Sequence, residues 1–116
     1  MSENKSTVER YIDGFNRTDH ELILDCLTDD VEWILPGLFH AQGKEEFDAQ
    51  IENEDFIDSP TVVLSRLTEE NNVVIAEGSV KCAFANGGML NALFCDVFEM
   101  RDGKIAKLTS YLAVLK

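Results

Sequence analysis

Asp96 is the residue of this sequence whose neighbours suggest chemistry most directly. It lies between Phe94 and Phe98 in an alternating apolar stretch, and we expect it opposite Leu108 on the following strand. An ionised carboxylate among such side chains is poorly solvated, so its pKa should rise. An acid with a raised pKa in an apolar cleft is suited to general acid/base catalysis or to hydrogen bonding a developing oxyanion.

The hydroxyl group of Tyr11 is the natural partner of this carboxyl group, and it would polarise the oxygen of a bound substrate. The alternative is purely structural: Tyr11 or Ser110 satisfies a buried Asp96, and no substrate is involved. Both interpretations place the carboxyl group inside the protein, so free volume beside it distinguishes them.

Other side chains are candidates for the walls of such a pocket. The candidates are Phe15, Trp33, Leu35, His40, Phe56, Phe84, Phe98 and Ser110. Aromatic residues with buried periodicity belong to the core more often than to a ligand site, and Ser110 could simply make space. His40 lies in the loop before the third helix and could reach the pocket mouth, unless it is an ordinary loop histidine.

Composition excludes several classes of function. The chain has 116 residues with 10 basic and 22 acidic side chains, a net charge of −12, and no basic cluster interleaved with aromatic residues. Such a chain repels phosphate backbones, so nucleic acid is not an expected partner. Its apolar runs are too short for a transmembrane helix, and its first residues lack the apolar core of a secretory signal. We expect one cytoplasmic domain spanning residues 1–116, with no membrane partner.

The spacing of cysteine and histidine residues does not indicate a metal or cofactor site. Cys26, Cys82 and Cys95 are odd in number, form no CxxC motif and lie among apolar neighbours. We expect them to be reduced core or interface residues. His20 and His40 are far apart and lack partners at ligand spacing, so we predict neither metal nor cofactor.

Two helices are predicted at the start of the chain. Ser6 and Glu9 form a capping box for the first helix, whose apolar residues then follow the spacing of one buried stripe. Thr18 and Glu21 repeat the box for a second helix, which ends at residues 29–30.

Strands dominate the rest of the sequence. A short strand over 31–35 precedes a third helix, which follows Gly43. After residue 60 the apolar pattern changes to period two, which predicts strands near 61–70, 73–85, 89–100 and 104–115. Their connections contain Asn and Gly residues that tolerate positive φ, as hairpin turns require. The strands should therefore form an antiparallel meander.

The register of the hairpins decides which side chains share a face. In the first hairpin a two-residue loop places Arg66 opposite Glu77. Three-residue loops at 86–88 and ending at Gly103 place a single carboxyl group, that of Asp96, on an otherwise apolar face. This face comprises Val80, Cys82, Phe84, Ala92, Phe94, Asp96, Phe98, Met100, Ala106, Leu108, Ser110 and Leu112. A two-residue loop in the second hairpin would instead place Asp96 outside.

The predicted fold class is α+β, a cone-shaped curved antiparallel sheet with three N-terminal helices packed on its inner face. The outer face carries Leu93, Cys95, Val97, Tyr111 and Ala113. An apolar outer face on so charged a chain suggests a homodimer formed through it. The alternative is a set of scattered, exposed apolar side chains.

The order of these elements and three local motifs resemble the nuclear transport factor 2-like (NTF2-like) superfamily, in particular its ketosteroid-isomerase-like and SnoaL-like branches. The motifs are LTDDVEW over 27–33, GKEEF over 43–47 and DVFEMRDGKI over 96–105. The resemblance covers nearly the whole chain. It implies the fold, whereas an activity must be argued from the site itself.

In the ketosteroid isomerase pattern, a tyrosine of the first helix and a carboxylic acid of the long strand hold an oxyanion, and an aspartate ending the first strand moves the proton. The resemblance puts Tyr11 and Asp96 at the first two positions and Leu35 at the third. Glu32 points to the other side of the strand and does not replace it. In the SnoaL-like cyclases an aspartate at this place in the long strand is itself the acid/base, and Asp96 matches it. Their helper histidines have no clear counterpart.

We therefore expect a pocket protein resembling SnoaL-like cyclases and isomerases, with acid/base chemistry on an apolar, carbonyl-bearing small molecule. Asp96 and Tyr11 would be catalytic, and no cofactor is implied. A steroid-type isomerase is not expected because Leu35 occupies the base position. The alternative is a non-catalytic module of the same fold that binds an apolar ligand or dimerises.

Overall fold

The computed structural model describes residues 2–52 and 60–115, which contain three helices and six strands. The helices are α1 (Glu3–Arg17), α2 (His20–Asp25) and α3 (Gly43–Ile51). The strands are β1 (Leu27–Leu35), β2 (Phe39–Gln42), β3 (Thr61–Glu70), β4 (Val73–Ala83), β5 (Met89–Arg101) and β6 (Lys104–Val114). Among the described helices, none has the length and apolar character needed to pass through a bilayer.

The strands form one curved sheet in the order β2-β1-β6-β5-β4-β3. Neighbouring strands are antiparallel except for β1, which runs parallel to β6 and makes the sheet mixed. A tight turn forces two strands to be antiparallel, but β1 reaches β6 only through α3 and four intervening strands, so no turn determines its direction. The α+β architecture with helices on one face is confirmed, with one parallel pair that the pattern did not predict.

α1 begins before the predicted capping box at Ser6. Its N-cap is Ser2, whose Oγ accepts a hydrogen bond from the Lys5 amide at 3.0 Å. The side-chain amide of Asn4 donates to Glu69 Oε2 at 2.8 Å, so β3 anchors this first turn. The prediction of Ser6 as the cap was wrong because an earlier serine caps the helix and a distant strand holds the additional turn.

α2 also has a different cap from the predicted one. Asp19 is its N-cap, and Asp19 Oδ1 accepts a hydrogen bond from the Leu22 amide at 3.1 Å. Thr18 adopts a φ of 48° and ends α1, so the prediction that it caps α2 was wrong. α2 ends at Asp25, earlier than predicted, because the residues that follow pair with β6 as the start of β1.

The segment after Pro36 contains an edge strand where the sequence predicted a loop. β2 pairs antiparallel with β1, with Ile34 opposite His40 and Trp33 opposite Ala41. Because successive side chains of a strand point to opposite faces, His40 faces away from the side that carries Trp33. A strand of four residues has too few positions to show a clear period in the sequence.

The first hairpin agrees with the prediction. Asn71 and Asn72 form a two-residue turn with φ values of 53° and 62°. Arg66 lies opposite Glu77, and its Nε is 2.5 Å from Glu77 Oε2. Asparagine tolerates left-handed φ values at both turn positions, which selects this loop length.

The second hairpin has the predicted loop length at a shifted position. The Phe84 amide donates to the Gly88 carbonyl at 2.8 Å, so the loop comprises residues 85–87 instead of 86–88. Moving a loop by one residue changes the pairing by two residues along the partner strand, which preserves the face of every side chain. Asp96 therefore lies on the inner face, as predicted.

The third hairpin has a two-residue loop where a three-residue loop was predicted. Arg101 lies opposite Lys104, and a bulge in the ladder then restores the predicted faces farther along β6. Close to the turn the prediction fails, because Ile105 is fully buried where Ala106 was predicted to face inward.

The core lies between the helices and the inner face of the sheet. Its largest fully buried side chains include Phe47, Phe98, Ile23, Ile105 and Leu108. Tyr11, Val8 and Ile12 of α1 pack against the same cluster. α1 and α3 thus pack their apolar sides against one face of the sheet, and α2 contributes Ile23 to the same core.

The outer face carries apolar side chains at the predicted positions. Leu93 is 49% exposed and Tyr111 is 53% exposed, and Cys95 lies directly opposite Tyr111. None of the three cysteines forms a disulfide bond: Cys26 and Cys82 are buried, and Cys95 is partly exposed.

Candidate active site

A cavity of about 170 Å³ lies between α1 and the inner face of the sheet. Its described lining residues are Tyr11, Ile12, Phe15, Trp33, Leu35, Pro60, Val62, Val80, Leu90, Phe94, Asp96, Ser110 and Leu112. Only four of these side chains carry a polar atom. The volume is below the roughly 300–1,000 Å³ of sites that enclose drug-sized ligands, so the cavity suits a compact, mostly apolar molecule.

Asp96 provides the acid of this cavity. It lies on β5 directly opposite Ser110 of β6, and not opposite Leu108 as the predicted loop length implied. Burial raises the pKa of Asp96 to about 7, while a hydrogen bond from the Ser110 side chain lowers it. The carboxyl group is therefore able to give or take a proton near neutral pH.

Ser110 connects Asp96 to Trp33. The indole N–H of Trp33 donates to Ser110 Oγ at 3.0 Å, and Ser110 lies directly opposite Asp96, where its hydroxyl group lowers the pKa of the carboxyl group as a hydrogen-bond donor does. Ser110 is only 6% exposed, so bulk water competes little for its hydroxyl group. A chain of polar groups thus crosses three adjacent strands, β1, β6 and β5, within an apolar setting.

Tyr11 forms the α1 side of the cavity. It is 3% exposed, and its ring meets those of Phe15, Phe47 and Phe98 with centroids 5.0, 6.1 and 5.4 Å apart. Burial, together with the negative charge of Asp96, raises the pKa of the Tyr11 phenol well above its ordinary value. The phenol therefore keeps its proton and serves as a hydrogen-bond donor.

An aromatic cluster holds Trp33 in place. Its ring stacks on Phe47 with centroids 4.6 Å apart and an interplanar angle of 29°. It also meets Phe15 and Phe39 edge to face at 5.8 and 5.1 Å. These contacts connect β1 to α3, α1 and β2. Aromatic rings from all three elements therefore restrict the orientation of the Trp33 indole.

Most of the residues predicted for the site meet at this cavity. They are Tyr11, Phe15, Trp33, Leu35, Asp96 and Ser110. Phe98 is fully buried and contacts the Tyr11 ring, so it lies in the core behind the cavity wall.

Two predicted residues lie away from the cavity. His40 is on β2 and points to the face of the sheet opposite the cavity. On that face its Nε2 lies 2.8 Å from Glu32 Oε1. Phe84 is at the turn after β4, beyond the lining residues. The unpredicted strand pairing of β2 determines the direction of His40. Phe56, another aromatic candidate, lies outside the described residues.

Several cavity residues were not among the predicted candidates. The alternation of apolar residues placed Val80, Phe94 and Leu112 on the inner face, but it carries no information on which inner residues border free volume. Pro60 lies just before β3 and Val62 lies on it, and the faces of this strand were not predicted. Their place in the cavity follows from how β3 packs beside α1.

The arrangement combines neutral hydrogen-bond donors with one group that titrates near neutral pH. The neutral Tyr11 phenol is available as a donor on the α1 side, and Asp96 gives or accepts a proton according to its ionisation state. The described lining contains no Lys, Arg or His, so an anionic ligand would meet no opposite charge there. Within residues 2–52 and 60–115, no group of three or more His, Cys, Asp or Glu residues is arranged to hold a metal ion.

The fold and this cavity define a protein of the NTF2-like superfamily. The chain belongs to the SnoaL-like domain family, whose family model matches residues 8–108. The matched range contains Tyr11, Trp33 and Asp96, and it ends before Ser110. No curated protein matches the chain by sequence.

Solved structures share this fold at low sequence identity. An NTF2-like protein of unknown function from Burkholderia pseudomallei has a TM-score of 0.89 and 23% identity, covering 97% of this chain and 92% of that chain. An LEH-like epoxide hydrolase from M. tuberculosis has a TM-score of 0.84 and 19% identity, covering 96% and 83%. TerC co-crystallised with polyporic acid has a TM-score of 0.87 and 21% identity, covering 97% and 92%. At these identities the similarity concerns the fold alone.

Proposed function

We propose that the protein binds a compact, mostly apolar molecule with a carbonyl group in this cavity, and that Asp96 exchanges a proton with it. The observation that carries the proposal is the Asp96 carboxyl group in a mostly apolar cavity, where burial raises its pKa to about 7. Tyr11 is the donor for the carbonyl oxygen, because its buried phenol stays neutral. Trp33 and Leu35 form dry walls around the reacting group.

In the proposed reaction, ionised Asp96 removes a proton from the carbon next to the carbonyl group. The electron pair of that C–H bond forms a C=C bond, and the negative charge moves to oxygen to give an enolate. Tyr11 stabilises this charge through a hydrogen bond in a site of low polarity. Protonated Asp96 then returns the proton to carbon, at the original or another position, which restores both groups.

Two of the similar structures support small-molecule chemistry in this fold, namely the LEH-like epoxide hydrolase and TerC with polyporic acid. A steroid-type isomerase is not proposed. The resemblance puts Leu35 at the position of its base, and Leu35 is an apolar part of the cavity wall. Asp96 must therefore act as both acid and base, as in the SnoaL-like cyclase pattern.

Exchange of carbon-bound hydrogen in deuterated water tests this proposal. The protein is incubated with compact ketones such as cyclohexenone and acetophenone near neutral pH, and NMR follows the loss of hydrogen next to the carbonyl group. We expect faster exchange than in buffer alone. Asp96→Asn should abolish the acceleration while circular dichroism stays unchanged. The matched control is Asp102→Asn, which removes an exposed carboxylate from the β5–β6 turn and should leave exchange intact.

Acceleration that survives in Asp96→Asn would remove this residue from the mechanism. The second candidate function is a non-catalytic module that holds an apolar ligand, and it is favoured by Leu35 at the base position. Trp33 is the single tryptophan of the chain and lies in the cavity wall, so its fluorescence reports binding directly. Binding of a probe without hydrogen exchange would support this second function.

We also propose that two copies associate through the outer face, in the cytoplasm, where the three thiols stay reduced. Exposed Leu93 and Tyr111 support this because a charged chain gains most from covering its apolar patches. Leu93→Lys should shift the protein from dimer to monomer in analytical ultracentrifugation. Leu38→Lys, at an exposed apolar residue between β1 and β2, is the matched control and should leave the mass unchanged. A wild-type protein that sediments as a monomer at micromolar concentration contradicts the proposal.

A further inference from the structure

The geometry points to Trp33 as a positioning residue for Asp96 that acts through Ser110. The indole N–H holds the Ser110 hydroxyl so that its proton is donated to one oxygen of the Asp96 carboxyl group. The other carboxyl oxygen is then the one that carries or accepts the reacting proton. The catalytic role of this hydrogen-bonded chain from Trp33 to Asp96 rests on the function proposed above. The presence of the hydrogen-bonded chain does not.

The direction of the chain follows from the donors and acceptors available. An indole nitrogen is a donor only, so Ser110 Oγ must be the acceptor of the 3.0 Å contact with Trp33. The serine hydroxyl has one proton, and this proton is left for Asp96, which lies directly opposite Ser110 on the neighbouring strand and whose pKa the serine lowers. An ionised carboxylate accepts hydrogen bonds but donates none, so the chain has a single polarity, from Trp33 to Asp96.

The surroundings prevent the hydroxyl from turning elsewhere at low cost. Ser110 is 6% exposed, and the other described lining residues, except for Tyr11, Trp33 and Asp96, have no polar side-chain atom. A buried hydroxyl that lost its partner would be left unsatisfied, which is unfavourable in an apolar setting. The cross-strand pairing places Ser110 directly opposite Asp96.

The donor at the start of the chain is also held rigidly. Trp33 stacks on Phe47 and meets Phe15 and Phe39 edge to face. Its N–H therefore points at Ser110 before any ligand arrives. A group that is prepositioned in this way loses no further freedom when the proton moves.

The consequence for Asp96 is both directional and energetic. With Ser110 on one oxygen, a proton bound to the carboxyl group resides on the other oxygen. A donor to the ionised form also lowers the pKa of an acid, which opposes the effect of burial. Removal of this hydrogen-bonded chain should therefore raise the pKa of Asp96 further.

The test measures the pKa of Asp96 by NMR in protein with ¹³C-labelled aspartate, without ligand, using Asp96→Asn to assign the signal. Ser110→Ala should raise this pKa from about 7 to about 8, the effect of losing one hydrogen bond to a charged group. Since Trp33 is the only tryptophan, a tryptophan auxotroph fed benzothienylalanine replaces its N–H by sulfur at this residue alone. We expect this analogue to raise the pKa by a few tenths, because cooperative strengthening of the second bond is lost.

The decisive comparison is the analogue in the Ser110→Ala background, where it should no longer move the pKa of Asp96. An equal effect in both backgrounds would mean that Trp33 acts through packing, and no effect in either would mean that it does not act on Asp96; both results overturn the inference. In a protein that exchanges carbon-bound hydrogen, the midpoint of the rate against pH should move with the measured pKa. Failure of the proposed function would be seen separately, as absent exchange in the unmodified protein with these pKa changes intact.

Discussion

Asp96 and Ser110 lie directly opposite each other on β5 and β6, and this pairing depends on an irregularity in the ladder. The third hairpin has a two-residue turn, and an unbroken ladder from that turn would pair Asp96 with Thr109. Ser110 would then point to the outer face. The register shift between Glu99 and Met100 restores the parity and brings the hydroxyl group to the carboxyl group.

The stability of the protein should depend on pH through Asp96. Burial raises the pKa of this folded-state carboxyl group from 3.8 to about 7, so the folded state binds the proton more tightly than the unfolded state. The cost of ionising it appears as the pH rises from about 4 to 7 and is constant above that range. Asp96→Asn, which cannot ionise, should be more stable than the wild type at pH 8, by on the order of 4 kcal/mol at most.

Urea denaturation at pH 4.5, 6 and 8 measures this dependence. The advantage of Asp96→Asn should be greatest at pH 8 and shrink as the pH falls. Asp102→Asn removes an exposed carboxylate as the matched control, and we expect its effect to be small throughout. A stability difference between Asp96→Asn and the wild type that is constant across this pH range would contradict the burial of the carboxyl group.

His20 should stabilise the contact of α2 with α3 only while it is protonated. Its Nδ1 lies 2.5 Å from Asp48 Oδ1 and its Nε2 lies 2.5 Å from Glu52 Oε2. Hydrogen bonds to these two carboxylates raise the pKa of His20. The stabilisation is complete below the ordinary pKa of about 6.5 and is lost as the pH rises through the higher folded-state pKa.

The variant His20→Gln should be less stable than the wild type at pH 6, by about 1 kcal/mol or less because the pair is partly solvated. The difference should shrink by pH 9. Arg17→Gln breaks the exposed ion pair with Asp13 and serves as a control, since an arginine keeps its charge over this range. Thermal unfolding at the two pH values measures both effects, and a loss in His20→Gln that is the same at pH 6 and pH 9 would show that its charge is not involved.

Gly78 is required by a close approach of β3 and Phe94. A Cβ atom at this residue would lie 2.0 Å from the Val63 carbonyl oxygen and 2.9 Å from two ring carbons of Phe94. Gly78→Ala should therefore cost about 1–3 kcal/mol or more, since backbone and ring must both shift. At Gly88 an added Cβ meets its nearest atoms at 3.4 and 3.6 Å, so Gly88→Ala is the matched control and should be nearly neutral. Similar melting temperatures for the two variants would argue against the tight contact.

Phe47 should control the position of Trp33 from α3. It is fully buried and stacks on the indole ring, so Phe47→Ala should cost about 3–5 kcal/mol. Trp33 fluorescence should also move to longer wavelength as water reaches the ring. Phe39→Ala removes a partly exposed neighbour of the same indole, and we expect a smaller loss of stability. A larger loss in Phe39→Ala than in Phe47→Ala would reverse the proposed order of importance.

Local patterns predicted much of the fold because they depend on residues close in sequence. Asn71 and Asn72 specify their turn through backbone conformation, and the opposition of Arg66 to Glu77 follows directly. The same reasoning placed Asp96 on the inner face, since a shift of the loop by one residue leaves parity unchanged.

Features that depend on distant contacts were less predictable. The start of α1 at Ser2 is supported by β3 through Asn4, and the direction of His40 follows from a strand pairing that four residues do not reveal. The bulge beside Met100 leaves no local signal of its own. Together with the two-residue turn, it decides that Ser110, rather than Leu108 or Thr109, faces Asp96.

The alternation of apolar and polar residues, together with the residue types in the turns, is sufficient to direct one acid, Asp96, toward an apolar interior beside Tyr11. Both patterns depend on residues close together in the sequence, so they can be recognised before any tertiary contact is known. The volume of the cavity, the size of the pKa shift of that acid and the link through Ser110 to Trp33 depend on how α1, α3 and the strands pack together. The solvation of a side chain and the shape of a cavity depend on many residues that are far apart in sequence. They are therefore determined only when the tertiary structure brings those residues together.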